Sequence, residues 1–140
     1  MPLVRISVFE QLAAEKRQAV ASAVYDAMSA VLGIPDGDRF IVLTAHPQSE
    51  LIVDPHFMKM QRTSDFVLVH VTLRKGRSTE KKQAFYKEVA QRVGEQAGIA
   101  ADNVMIVLTE NDLDDWSFGK GEAQYVLNPP PGAQSTKASN

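Results

Sequence analysis

Apolar and polar positions alternate at the start of the chain. Val4, Ile6 and Val8 fall on one side of Leu3–Phe9, and Leu3 and Phe9 fall on the other. This predicts a β-strand with apolar residues on both faces. The period then changes: Val20, Val24, Met28 and Leu32 recur every fourth position, which predicts a helix from about Gln11 to Leu32. A second strand follows over Arg39–Ala45. Further on, Phe66–Leu73 reads as a strand and Thr79–Ala97 as a helix whose apolar face is Phe85, Val89, Val93 and Ala97.

Those four positions lie 65 beyond the first four. Glu15-Lys16-Arg17-Gln18-Ala19 likewise returns as Glu80-Lys81-Lys82-Gln83-Ala84, Gly33-Ile34 as Gly98-Ile99, and Ile41-Val42-Leu43-Thr44 as Ile106-Val107-Leu108-Thr109, all at the same offset of 65. The chain is a repeat of two strand–helix–strand halves, about 2–46 and 66–111. Ser78 suits the amino cap of the second helix, with Glu80 in its first turn. Gly33 and Gly98 suit left-handed carboxyl caps. Right-handed crossovers make the strands within each half parallel. The predicted fold is α+β: a four-stranded mixed sheet with both helices on one face. The uncovered face carries apolar residues, which predicts a homo-oligomer.

Length allows one domain, assigned to residues 2–127, with a core of ordinary size. Asn128–Asn140, which opens with three prolines followed by small polar residues, predicts a disordered tail. The segment Pro47–Asp65 is polar at both ends around Leu51-Ile52-Val53 and has room for a short strand or edge pairing. A net charge of −2 and a pI near 5.9 leave no basic footprint for nucleic acid. The chain has no cysteine, which excludes disulfides, thiolate catalysis and thiolate-bound zinc. No apolar run is long enough for a membrane span, and the start lacks the features of a signal peptide. A cytoplasmic protein is expected.

Pro2 precedes the first strand, the one place in a strand where the missing amide hydrogen is harmless. As a small residue after Met1, it predicts removal of the methionine and a free secondary amine. Such an amine ordinarily titrates near pH ~8, close enough to neutrality to serve as acid, base or nucleophile. Arg74 and Arg77 fall where the third strand ends and the second helix begins. Two guanidinium groups beside a helix amino terminus suit a small carboxylate, although a basic solvated turn has the same pattern. Asp38 and its repeat counterpart Asn103 both suit a strand-entry turn. Trp116 and Phe118, spaced by two and flanked by Ser117 and Gly119, suit either a core or a pocket wall carried on a loop, with Tyr125 beside them. His46, His56 and His70 show no metal-like spacing, and neither metal nor cofactor is expected.

A strand–helix–strand repeat beginning at a second-position proline resembles the tautomerase superfamily, whose members use the amino-terminal proline as the catalytic group. Within it, the chain is most similar to the malonate semialdehyde decarboxylases. The similarity rests on Ile34-Pro35-Asp36-Gly37-Asp38-Arg39-Phe40, Phe66-Val67-Leu68-Val69, Arg74-Lys75-Gly76-Arg77-Ser78, Phe85-Tyr86-Lys87 and Asp115-Trp116-Ser117-Phe118-Gly119-Lys120-Gly121. The resemblance implies a homotrimer without cofactor that decarboxylates a small 3-oxo acid. Pro2, Asp38, Arg74 and Arg77 would be catalytic, with Trp116, Phe118 and Tyr125 joining the arginines around the substrate. Asp38 would orient the proline ammonium or a water. The Arg-Lys-Gly-Arg spacing departs from the decarboxylase pattern and resembles the cis-chloroacrylate dehalogenases. Those, however, carry a histidine where this chain has Met28, and a different segment in place of Trp-Ser-Phe-Gly. The alternatives are a hydratase or dehalogenase of unsaturated acids, a keto–enol tautomerase, and an inactive trimeric binding module.

Overall fold

A computed structural model describes residues 2–132. The removal of Met1 and most of the expected disordered tail, 133–140, lie outside the described residues. Four strands, β1 (Leu3–Phe9), β2 (Ile41–His46), β3 (Val67–Arg74) and β4 (Val104–Asn111), form one sheet in the order β2-β1-β3-β4. β1 pairs parallel with β2, β3 pairs parallel with β4, and β1 pairs antiparallel with β3. The helices α1 (Ala14–Leu32) and α2 (Thr79–Ala97) complete the two halves. A one-turn helix, α3 (Gln124–Leu127), follows β4.

Both helices pack on one sheet face, as the alternation requires. Val4, Ile6 and Val8 of β1 and Val67, Val69, Val71 and Leu73 of β3 are fully buried against Val20, Val24 and Met28 of α1 and Phe85, Val89 and Val93 of α2. Burying a side chain of this size contributes roughly 1.5–3 kcal/mol. The Ser78 side chain caps α2 by accepting from the Lys81 amide at 3.1 Å. Gly33 and Gly98 end the helices in the same left-handed conformation, φ 67° in each, where a side chain would be strained. The other sheet face is open. Val42, Met105 and Val107 lie on it and are each about 40% exposed.

Four expectations are corrected. Helix α1 begins at Ala14 rather than Gln11, because residues 10–13 form a turn held by Arg17, which donates to the carbonyls of Leu12 and Glu10. β2 begins at Ile41 rather than Arg39. The Arg39 guanidinium instead lies 4.0 Å over the Tyr25 ring, tying the entry loop to α1. Pro47–Asp65 holds no strand; it forms two 3-10 turns and crosses to the start of β4. There the amides of Gln61 and Thr63 donate to the side chains of Asp102 and Asn103 at 2.9 and 2.8 Å. Phe9, expected on the open face, is buried where this segment passes and lines a small cavity with Gln48, Val53 and Pro55.

Candidate active site

The antiparallel pairing of β1 and β3 sets Leu3 opposite Thr72, so the start of the chain adjoins the strand end that carries Arg74. Pro2 is buried there. It lines a cavity of about 440 Å³ with Leu3, Phe40, Thr72, Trp116 and Phe118, mostly apolar groups.

The arginines face a second, more polar cavity of about 620 Å³, with Lys75, Ser78, Lys81 and Asp112 around them. Between Arg74 and Arg77 the chain must reverse from strand to helix within two residues. Gly76 permits this at φ 127°, a conformation that side chains rarely adopt. The reversal lets the Arg77 guanidinium donate to the Arg74 carbonyl at 3.1 Å, which sets both forks at one place. Burial, and then the neighbouring Arg74 cation, lower the Arg77 pKa below the usual arginine value, while Glu110 and Tyr125 oppose the shift. Two guanidinium groups held side by side suit a carboxylate, which planar forks bind through paired hydrogen bonds. Lys75 is exposed and pairs with Asp112 at 3.4 Å.

The aromatic residues form a connected wall. The rings of Trp116 and Phe118 stack with centroids 5.5 Å apart, and Tyr125 meets Phe118 edge-on at 4.8 Å. Gln124 holds the loop in place: its side-chain oxygen accepts from the Phe118 amide at 2.9 Å, and its nitrogen donates to the Gly119 carbonyl at 2.8 Å. Burial, and then the Asp38 carboxylate, raise the Tyr125 phenol above the usual tyrosine value of 10.0, against the pull of Arg74 and Arg77. Tyr125 therefore sits electrostatically between Asp38 and the two arginines.

Asp38 and Asn103 occupy equivalent positions of the repeat but different environments. Asn103 is buried and satisfied: its Oδ1 accepts from the Thr63 amide at 2.8 Å and its Nδ2 donates to the Thr63 hydroxyl at 3.2 Å. Among the described residues the Asp38 Oδ1 is buried without a hydrogen-bond partner. A buried acceptor left unpaired is costly, and such groups concentrate where chemistry needs them.

Two contributors were not foreseen. Gln124 carries no signal of its own in the sequence. Asn111, the last residue of β4, lines both cavities, and its position just after the repeated strand is the only hint of it. Three carboxylates, Asp112, Asp114 and Asp115, also lie within 4.8 Å of one another. Their grouping is accounted for locally, because Asp112 and Asp115 form the reciprocal cap of a 3-10 turn.

A family model described as tautomerase enzyme matches residues 38–119, and a second of the same description matches residues 2–60. The chain belongs to the tautomerase family. Two relatives from Bacillus subtilis (strain 168), named Probable tautomerase YusQ and Probable tautomerase YrdN, are each 32% identical over 126 residues. The alignments span 90% of this chain and 99% and 97% of the relatives. Among solved structures, FG41 malonate semialdehyde decarboxylase inhibited by 3-bromopropiolate is 41% identical with a TM-score of 0.84, over 89% of this chain and 95% of its own. Another malonate semialdehyde decarboxylase, described with both decarboxylase and hydratase activities, is 30% identical with a TM-score of 0.83, over 89% and 96% of the two chains. A fused 4-OT symmetric trimer shares the fold, at 21% identity and a TM-score of 0.74 over 90% and 98%. Among the described residues no helix is long and apolar enough to cross a membrane.

Proposed function

We propose that this tautomerase-family chain is a carboxy-lyase that decarboxylates a small 3-oxo acid, malonate semialdehyde, to acetaldehyde and carbon dioxide. The observation that carries the reading is an apolar cavity at Pro2 and a two-arginine cavity that adjoin at a common lining residue, Asn111. A 3-oxo acid has a carbonyl and a carboxylate at just such separate ends. The similarity to two malonate semialdehyde decarboxylases supports the choice of acid.

Breaking the bond to the carboxylate leaves an electron pair on the α-carbon, which must flow into the carbonyl. Pro2, once Met1 is removed, assists in one of two ways. Its ammonium donates a hydrogen bond to the carbonyl oxygen, or its neutral amine condenses with the carbonyl, with loss of water, to an iminium that accepts the electrons. The α-carbon then takes up a proton, and in the second route water releases the aldehyde. A tight salt bridge to the carboxylate would stabilise the charge that disappears, so Arg74 and Arg77 serve by orientation. They hold the scissile bond perpendicular to the carbonyl plane, where its electrons overlap the π system. Trp116, Phe118 and Tyr125 exclude water and disfavour the localised anion.

Hydration of an unsaturated acid, including 3-haloacrylates, is the second reading. It is favoured by the unpaired oxygen of Asp38, which can hold an attacking water or the proline ammonium. We also propose a homotrimer in which neighbouring copies cover the open sheet face; its exposed Val42, Met105 and Val107 support this.

Incubation with malonate semialdehyde and, separately, with a 3-haloacrylate tests the readings. Acetaldehyde from the first with little halide from the second is expected. Halide release without acetaldehyde selects the hydratase reading, and enol–keto exchange as the sole activity would return the chain to simple tautomerisation.

A further inference from the structure

The two cavities share one side chain whose chemistry is directional. Asn111 pairs with Arg74 across the parallel β3–β4 ladder, so it stands beside the carboxylate end of the site. Its Oδ1 accepts a hydrogen bond from the indole Nε1–H of Trp116 at 2.8 Å. An indole nitrogen only donates, so this contact fixes the orientation of the Asn111 amide, oxygen toward the ring and Nδ2 away from it.

Trp116 itself lies in no regular element; it follows a 3-10 turn with extended backbone at φ −124° and ψ 132°. Its ring stacks on Phe118 on one side and meets the Asn111 oxygen at its polar edge. Phe118 sits on the same loop, so it cannot anchor Trp116 to the sheet. Asn111 can, because it closes β4. Without that oxygen the half-buried indole N–H would need a water as its acceptor, inside the cavity that decarboxylation requires dry.

We propose that Asn111 is a positioning residue that acts through Trp116. It locks the indole as a wall of the proline cavity, beside the one residue that this cavity shares with the arginine cavity, and keeps water from that junction. The role of that wall rests on the decarboxylase reading above; the anchoring itself can be measured without turnover. Trp116 is the one tryptophan in the chain, so tryptophan emission reports on the surroundings of this indole.

The test compares Asn111→Leu, which removes the acceptor, with Asn111→Asp, which keeps it, in the full-length protein. Asn111→Leu should shift the tryptophan emission and increase its quenching by acrylamide, whereas Asn111→Asp should leave both as in the wild type. With malonate semialdehyde, Asn111→Leu should lower kcat about tenfold with KM within about threefold, the scale of one lost hydrogen bond to a half-buried group. In a Trp116→Phe background, the same substitution should change kcat by less than about twofold, because its effect is carried by the indole. Asn111→Asp should instead raise KM, since its charge competes with the substrate for Arg74. Unchanged emission and quenching in Asn111→Leu, an Asp variant whose emission moves as the Leu variant's does, or an equal kcat loss in both backgrounds overturns the proposal. A wild type that releases no acetaldehyde defeats the decarboxylase reading, and the emission comparison still decides the anchoring.

Discussion

Arg5 and His70 face each other across the antiparallel β1–β3 ladder, and they are equivalent residues of the repeat, 65 positions apart. The internal two-fold axis therefore passes between them. The outer ladders obey it residue by residue: Val4 pairs with Ile41 as Val69 pairs with Ile106, and Arg5 with Val42 as His70 with Val107. A two-fold of this kind gives the sheet two equivalent ends. At one end lie Pro2, Asp38, Arg74, Arg77 and Asn111. Their counterparts at the other are Val67, Asn103, Phe9, Leu12 and His46, and the segment 47–65 passes there.

The Asp38–Asn103 contrast gives the first prediction. Asp38→Asn should lower turnover at least about tenfold and change stability by less than about 1 kcal/mol, since the carboxylate supports no described partner. Asn103→Asp should do the reverse, costing about 1–3 kcal/mol by breaking a satisfied buried pair while leaving kcat near wild type. Urea unfolding and acetaldehyde release check both, and an Asp38→Asn enzyme of full activity would remove this residue from the chemistry.

Arg74→Ala and Arg77→Ala should each lose most turnover, by about 30-fold or more, the scale of about 2 kcal/mol for a charged hydrogen-bonded contact. Orientation as the role predicts that kcat falls and not only that KM rises. Full turnover in both variants at saturating substrate would rule out the arginines as orienting groups.

The proline chemistry predicts natively expressed protein short of one methionine residue by intact mass. Under the iminium route, borohydride added during turnover should attach the reduced substrate to Pro2. An unmodified amino terminus after complete turnover would leave the hydrogen-bond route. Retained Met1 would block the amine and favour the inactive binding module.

Tyr125 predicts an alkaline signature. Its phenol titrates above 10.0 when folded, so as pH rises the unfolded chain loses this proton first. The stability it contributes is complete below about pH 10 and is lost as the pH climbs through the folded value. The stability difference between wild type and Tyr125→Phe should be flat up to about pH 9 and shrink above it. A difference that grows with pH would mean that the phenolate, not the phenol, is favoured in the fold.

A charge on the open sheet face should break the proposed trimer. Val107→Asp lies at the β4 edge and is 39% exposed in the single chain. Sedimentation should show a trimer for the wild type and smaller species for the variant. A monomeric wild type would reject the assembly.

Local patterns carried most of the fold. The alternation in β1, the four-residue period of both helices, the Ser78 cap and the paired glycines each express a local preference, and the repeat doubled every signal. Predicted and observed bounds agree at both ends of α2, where Ser78 caps one end and Gly98 the other. They differ at the start of α1, where the amino cap Ala13 offers no side-chain acceptor and an Arg17 contact holds a turn instead. In 47–65, Leu51-Ile52-Val53 has the composition of a strand, but the segment finds no sheet partner and is fixed by side chains of residues 102 and 103, about 40 positions away.

The sequence by itself determined the two halves, their elements, and the residue types able to handle a carbonyl and a carboxylate. These follow from periodicity and functional-group chemistry, which are local. Only the tertiary structure decided that Pro2 and the arginines line separate cavities, that Asp38 lacks the partner its counterpart has, and that Asn111 lines both spaces while accepting from Trp116. Each of these depends on which strand ends meet and on how side chains are oriented once they do, relations that no local pattern encodes. Pro2 gains its surroundings in the same way: antiparallel pairing across the two-fold brings the first strand's beginning to the third strand's end.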